Sequence, residues 1–136
     1  MPKAAILGAL MLYTVRDLAE GVGGVSIRVR ILLKEEPRKV KIKDGTEHVV
    51  VDTQIGDRTG ELTLSLWDKM VDEVDNGDVV DIKNGYVTRF KGRLRLNIGK
   101  FGAMEKVDDP EFPTVEEITA RQKQHWQRYR TSINPK

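Results

Sequence analysis

Glu61-Leu62-Thr63-Leu64-Ser65-Leu66-Trp67 places a leucine at every second position, the clearest strand signal in the chain. Successive side chains of a strand point to opposite faces, so Leu62, Leu64 and Leu66 share one face and Thr63, Ser65 and Trp67 the other. With the leucines turned to a core, the indole of Trp67 faces out. Gly56-Asp57-Arg58-Thr59-Gly60 precedes the strand and is rich in residues that favour a tight turn, so another strand should enter it from Val49 to Ile55.

Toward the N-terminus the period of two continues. Val25, Ile27, Val29 and Ile31 alternate with Ser26, Arg28 and Arg30, which predicts a half-buried strand. Glu35-Glu36-Pro37 interrupts it, Val40 to Lys43 resumes it, and Asp44-Gly45 is a strong hairpin signal. Toward the C-terminus, Asp68 to Val74 predicts a short helix with Met70, Val71 and Val74 as its apolar stripe, stopped by Asn76-Gly77. Asp78 to Phe90 predicts a long strand. Val80 and Ile82 set one inward parity and Val87 the other, so a bulge is expected at Asn84-Gly85, with the glycine supplying a positive dihedral. Lys91-Gly92 then turns the chain into Arg93 to Ile98. This order predicts an all-β chain: a five-stranded Greek-key OB-fold barrel with a short helix between its third and fourth strands and a C-terminal helix.

Parity also predicts an outer surface. With Val87 inward, Tyr86, Thr88 and Phe90 face out, Tyr86 and Phe90 roughly 13 Å apart along the strand. Leu94, Leu96 and Ile98 read as core, which leaves Arg93, Arg95 and Asn97 on the side of the aromatics. Exposed rings interleaved with arginines suit unpaired bases, whose faces stack on the rings while guanidinium groups neutralise phosphates. The candidate site is therefore Trp67, Tyr86 and Phe90 with Arg28, Arg30, Lys91, Arg93, Arg95 and Asn97. Structural alternatives stand beside it: Trp67 closing the barrel end, Tyr86 holding a hydroxyl hydrogen bond, and Phe90 shielding its turn.

The net charge of +2 conceals a segregation. Arg28 to Lys43 holds seven bases against two acids, Arg89 to Lys106 six against one, and Asp57 to Asp81 eight acids against two bases. A positive face of this kind suits a polyanion, although strand edges also carry cations for solubility. The 136 residues are enough for one domain. The chain has no cysteine, and its two histidines, His48 and His125, are far apart, which excludes disulfides, zinc ribbons and thiol catalysis. The acids show no EF-hand spacing, and there is no P-loop or nucleophile elbow. No catalytic residue, metal or cofactor is expected.

The two ends read differently from the middle. Residues 1–14 form a leader in which Ala4 to Leu12 is apolar but too short to cross a bilayer, so no membrane association is expected. A misassigned start, disorder or packing against the domain are its three readings. Residues 15–107 form the barrel and 108–136 a linker and helix. Thr114-Val115-Glu116-Glu117 has the form of a capping box, and Ile118, Gln122, Trp126 and Tyr129 fall near one helical face. That helix folds over the barrel, serves self-association or a protein partner, or extends the nucleic-acid path as a basic arm.

The run from Ile55-Gly56-Asp57-Arg58-Thr59-Gly60 through Leu62, Leu64 and Leu66 to Trp67-Asp68 resembles the archaeal single-stranded DNA-binding proteins with one OB fold. Those proteins are similar in turn to the OB domains of replication protein A and to the single-OB subunit of eukaryotic DNA-damage sensor complexes. Gly77-Asp78-Val79-Val80, Asn84-Gly85-Tyr86, Phe90-Lys91-Gly92 and Leu94-Arg95-Leu96-Asn97-Ile98-Gly99-Lys100 continue the resemblance, which covers roughly Val15 to Val107. It implies that Trp67, Tyr86 and Phe90 stack on bases. It further implies a non-enzymatic protein, cytoplasmic and associated with chromosomal DNA, that coats exposed single strands in replication, repair and recombination. RNA binding would use the same surface. The alternative from another class is an assembly subunit of a replication protein A-like complex that binds protein partners through its C-terminal helix. Many relatives end in a glycine-rich or acidic flexible tail, and the helix-like end of this chain departs from that pattern.

Overall fold

The leucine strand and its neighbours close on themselves in the computed structural model, which describes residues 5–7 and 10–121. Two short strands, β1 (Ala5–Leu7) and β2 (Leu10–Leu12), pair antiparallel with each other. They are followed by β3 (Val25–Lys34), β4 (Arg38–Lys41), β5 (Glu47–Asp57), β6 (Gly60–Trp67), β7 (Val79–Phe90) and β8 (Arg93–Val107). The hydrogen-bonded order is β3-β7-β8-β6-β5, and β5 returns to β3, so five strands form a closed barrel with β4 attached to the outer edge of β5. β6 and β8 run parallel; every other pair is antiparallel.

The alternation seen in the sequence becomes the core. Val25, Ile27, Val29 and Ile31 of β3, Leu64 and Leu66 of β6, Val80 and Ile82 of β7 and Leu96 of β8 are all buried in one cluster. Removing side chains of this size from water stabilises the fold by about 1.5 to 3 kcal/mol each. Asp68–Glu73 forms a 3₁₀ helix between β6 and β7, and Val74, with Met70 and Val71, packs into the same cluster.

The bulge in β7 lies where parity requires it, with register shifts against both neighbours around Asn84-Gly85. Its chemistry differs from expectation: Asn84 carries the positive dihedral, with φ of 56°, and Gly85 does not. Asparagine tolerates this region better than most residues. Gly85 is required for space, since a Cβ there would stand 3.1 Å from Leu96 Cδ1 and 3.2 Å from the Asn97 carbonyl oxygen. The Lys91-Gly92 turn joins Phe90 to Arg93 with φ of 52° and 80°, the positive pair of a two-residue hairpin turn that matches the strand twist.

Both ends of the barrel chain are tied down. The Tyr13 N–H donates to the Ser26 carbonyl at 2.8 Å. Asp57, buried in the tight turn before β6, accepts from the Val15 N–H at 2.9 Å and from Thr59 Oγ1 at 2.6 Å. At the other end, Thr114 and Glu117 form the capping box, with reciprocal bonds of 2.9 and 3.1 Å, and a helix is described over 115–121. Ile118 of that helix is buried over Gly56 and Leu32, where a Cβ on Gly56 would meet Ile118 Cγ2 at 2.9 Å. Gln122, His125, Trp126 and Tyr129 lie outside the described residues. Among those described, no helix is long and apolar enough to cross a membrane.

Candidate nucleic-acid interface

Trp67 ends β6 and is 37% exposed, so it does not close the core. Its indole is met edge-on by His48, with ring centres 5.8 Å apart and planes at 66°. His48 is itself held on both sides: Nδ1 lies 2.7 Å from Asp68 Oδ2 and Nε2 2.9 Å from Thr46 Oγ1. Asp68 also accepts from the Val49 N–H at 3.0 Å. The bond with His48, followed by that backbone donor, keeps the Asp68 carboxyl below the usual carboxylate range.

An open groove runs from Trp67 to Phe90. Its lining includes Arg38, Val40, Ile42 and Val50 at the Trp67 end, Ser65, Arg95 and Asn97 in the middle, and Thr88, Arg89 and Phe90 at the far end. Register explains the grouping: Trp67 pairs with Val50, Val50 with Arg38, Ser65 with Asn97, and Thr88 with Arg95. Phe90 is 46% exposed, and the Arg95 guanidinium carbon lies 4.8 Å from its ring centre, a cation–π distance. Arg95 Nη1 donates to Asp52 at 2.5 Å and to Ser65 Oγ at 3.0 Å. Arg38 Nη2 reaches the same Asp52 oxygen at 3.2 Å. Burial opposes the Asp52 charge, but the bonds from Arg95 and Arg38 outweigh it, and the carboxyl is held below its ordinary value. Asn97 Nδ2 donates to Thr88 Oγ1 at 2.9 Å and so is fixed across the β7–β8 pair.

The remaining candidates are placed around the groove or away from it. Tyr86 is 43% exposed on the same face of β7, opposite Asn97, and its ring rests on Gly99, where a Cβ would be 3.1 Å from Cε1. Lys91 holds its ammonium 5.4 Å from the Phe90 ring, and Arg93 is exposed opposite Phe90 in register. Arg28 and Arg30 do not join this groove. Arg28 donates to Asp81 at 2.6 and 2.8 Å and to Asp109 at 3.0 Å. Arg30 donates to the carbonyls of Gly77, Pro113 and Phe112 at 2.6, 2.6 and 3.1 Å. The outer face of β3 is thus occupied by the chain leading to the C-terminal helix, a long-range packing that strand parity does not reveal.

Sequence reading missed Arg38, His48 and Asp52. Arg38, Val40 and Ile42 were spaced two apart beside the Asp44-Gly45 hairpin, and that spacing was the available signal for one lined wall. His48 carried none, because its role depends on Trp67, nineteen residues later.

Residues 22–106 match the family model described as single-stranded DNA binding protein Ssb-like, OB fold. The chain belongs to that family. It is 32% identical over 104 residues to the single-stranded DNA binding protein Ssb of Saccharolobus solfataricus, covering 76% of this chain and 70% of that one. It is also 32% identical over 123 residues to replication factor A of Methanothermobacter thermautotrophicus, covering 79% of this chain but spanning only 15% of that much longer protein. Among solved structures it is similar to an OB domain from Thermoplasma acidophilum, with a TM-score of 0.64 and 28% identity over 72% of this chain and 88% of that one. The region matching the Ssb-like family contains every groove residue and leaves the C-terminal helix outside.

Proposed function

We propose that this protein binds single-stranded DNA along the Trp67–Phe90 groove, without sequence preference and without catalysis or a cofactor. The observation that carries the reading is the placement of two half-exposed rings, Trp67 and Phe90, in one groove that Arg38 and Arg95 also line. Tyr86 extends the aromatic surface on the same face. Each base stacked on such a ring contributes about 1 to 3 kcal/mol, and each phosphate neutralised on a single strand contributes a logarithmic salt slope of about −0.7. A duplex offers no base faces to these rings. Asn97, Lys91 and Arg93 supply further polar contacts along the strand. The protein's setting in this reading is chromosomal DNA exposed as single strands during replication, repair and recombination.

The alternative of an assembly subunit acting through the C-terminal helix is less well supported, because Ile118 is already buried against the barrel. Fluorescence anisotropy with matched labelled single-stranded DNA, RNA and duplex, over a range of salt, tests the proposal. Tightest binding to single-stranded DNA with a negative salt slope is expected. Tighter RNA binding would change the polymer assigned, and salt-independent or duplex-preferring binding would overturn the reading.

A further inference from the structure

Phe101 is 84% exposed, the most exposed large apolar side chain among the described residues, and the groove does not use it. It stands in an interruption of the β7–β8 ladder. Lys83 pairs with Ala103 and Gly85 with Ile98, so the four residues Gly99-Lys100-Phe101-Gly102 of β8 stand opposite the single Asn84 of β7. Two glycines fix this projection. A Cβ on Gly102 would stand 2.8 Å from Ile98 Cγ2 and 3.1 Å from the carbonyl oxygens of Lys83 and Asn84. A Cβ on Gly99 would press on the Tyr86 ring at 3.1 Å. Asn84 Nδ2 adds a bond to the Phe101 carbonyl at 3.3 Å. The bulge thus holds a phenyl ring out in water beside a surface already proposed to stack bases.

We propose that this bulge is a further stacking subsite for one nucleotide of the bound strand, with Phe101 as the platform and Lys100 as the phosphate contact. The inference rests on the single-stranded DNA reading above. Continuity supports it: Tyr86 lies on Gly99, and Phe101 is two residues further, at most about 7 Å of strand. Charge supports it too, because the four-residue bulge contains a lysine and no acid, with Lys100 Nζ 5.9 Å from the Phe101 ring centre. A nucleotide there would extend a path already marked by Phe90 and Tyr86.

Equilibrium binding of oligothymidylates graded from about 4 to 16 nucleotides, the range of site sizes for one OB fold, tests the subsite in the full chain. Phe101→Ala should bind the longer oligomers about 5- to 100-fold more weakly than the unaltered protein and leave the shortest unchanged, with Phe101→Trp restoring affinity. Affinity within twofold of the unaltered protein at every length would overturn the subsite, as would an equal loss at every length. A fall in sedimentation mass for Phe101→Ala with DNA affinity unchanged would identify the bulge as a contact between copies and likewise overturn it. Failure of the unaltered protein itself to bind any oligomer would instead remove the single-stranded DNA reading and the subsite together.

Discussion

Arg95 lies over Phe90, with its guanidinium carbon 4.8 Å from the ring centre, while the same side chain donates to Asp52 and Ser65 on the other wall of the groove. One residue therefore links the exposed Phe90 ring at the β7–β8 turn to the middle of the sheet. Both bonds come from Nη1, which leaves the rest of the delocalised guanidinium over the ring; a lysine ammonium, a compact point charge, could keep the two bonds but has no planar group to stack.

Replacing Arg95 by alanine should make the salt slope of single-strand binding shallower by up to about 0.7, with little change in sequence preference. Arg95→Lys should keep most of the slope but lose affinity, because charge is retained and stacking is not. Binding isotherms at several salt concentrations check both. An unchanged slope in Arg95→Ala would place phosphates elsewhere.

Asp52 neutralises part of the charge that Arg38 and Arg95 present. Asp52→Asn should steepen the salt slope and raise affinity at low salt, since two arginines are released toward phosphate. The carboxyl's folded value is depressed, so the stability it contributes is present above the ordinary aspartate value of about 3.9 and is lost as pH falls through the folded value. The melting-temperature gap between the unaltered protein and Asp52→Asn should be flat from pH 8 to about pH 5 and close below about pH 4.

Ile118 packs the described part of the C-terminal helix against Gly56, so changes at that contact should act on stability. Gly56→Ala would force a Cβ against Ile118 Cγ2, Leu32 Cδ1 and the Gly60 carbonyl, and should cost about 1 to 3 kcal/mol. Ile118→Ala should cost about 2 to 5 kcal/mol by leaving a cavity at the same place. Denaturant melts measure both, and single-strand affinity measured in the folded range should change little in either variant.

Most of the barrel was legible because its information is local. The alternation in Val25 to Ile31 and in Leu62 to Trp67, the turns at Asp44-Gly45 and Lys91-Gly92, and the parity conflict between Ile82 and Val87 each constrain a few consecutive residues. The exposure of Trp67, Tyr86 and Phe90 followed from the same parity. What was not legible depends on residues far apart in sequence. Arg28 and Arg30 were read as groove cations from their outward parity, but Asp81, Asp109 and the carbonyls of Phe112 and Pro113 hold them. Asp52 was missed because its partners lie 14 and 43 residues away. Phe101 was passed over because the extra residues in β8 appear only when its register against β7 is known.

In the proposed binding mode, bases stack on Trp67 and its neighbours. The most direct test is fluorescence titration of a Trp126→Phe variant, in which Trp67 is the sole tryptophan, with a single strand and with the same sequence as a duplex. Saturable quenching by the single strand and far weaker quenching by the duplex are expected, with single-strand affinity reduced by about 1 to 3 kcal/mol when Phe90→Ala is added. Equal quenching and affinity for duplex and single strand, or tight single-strand binding that leaves Trp67 fluorescence unchanged, would contradict that binding mode.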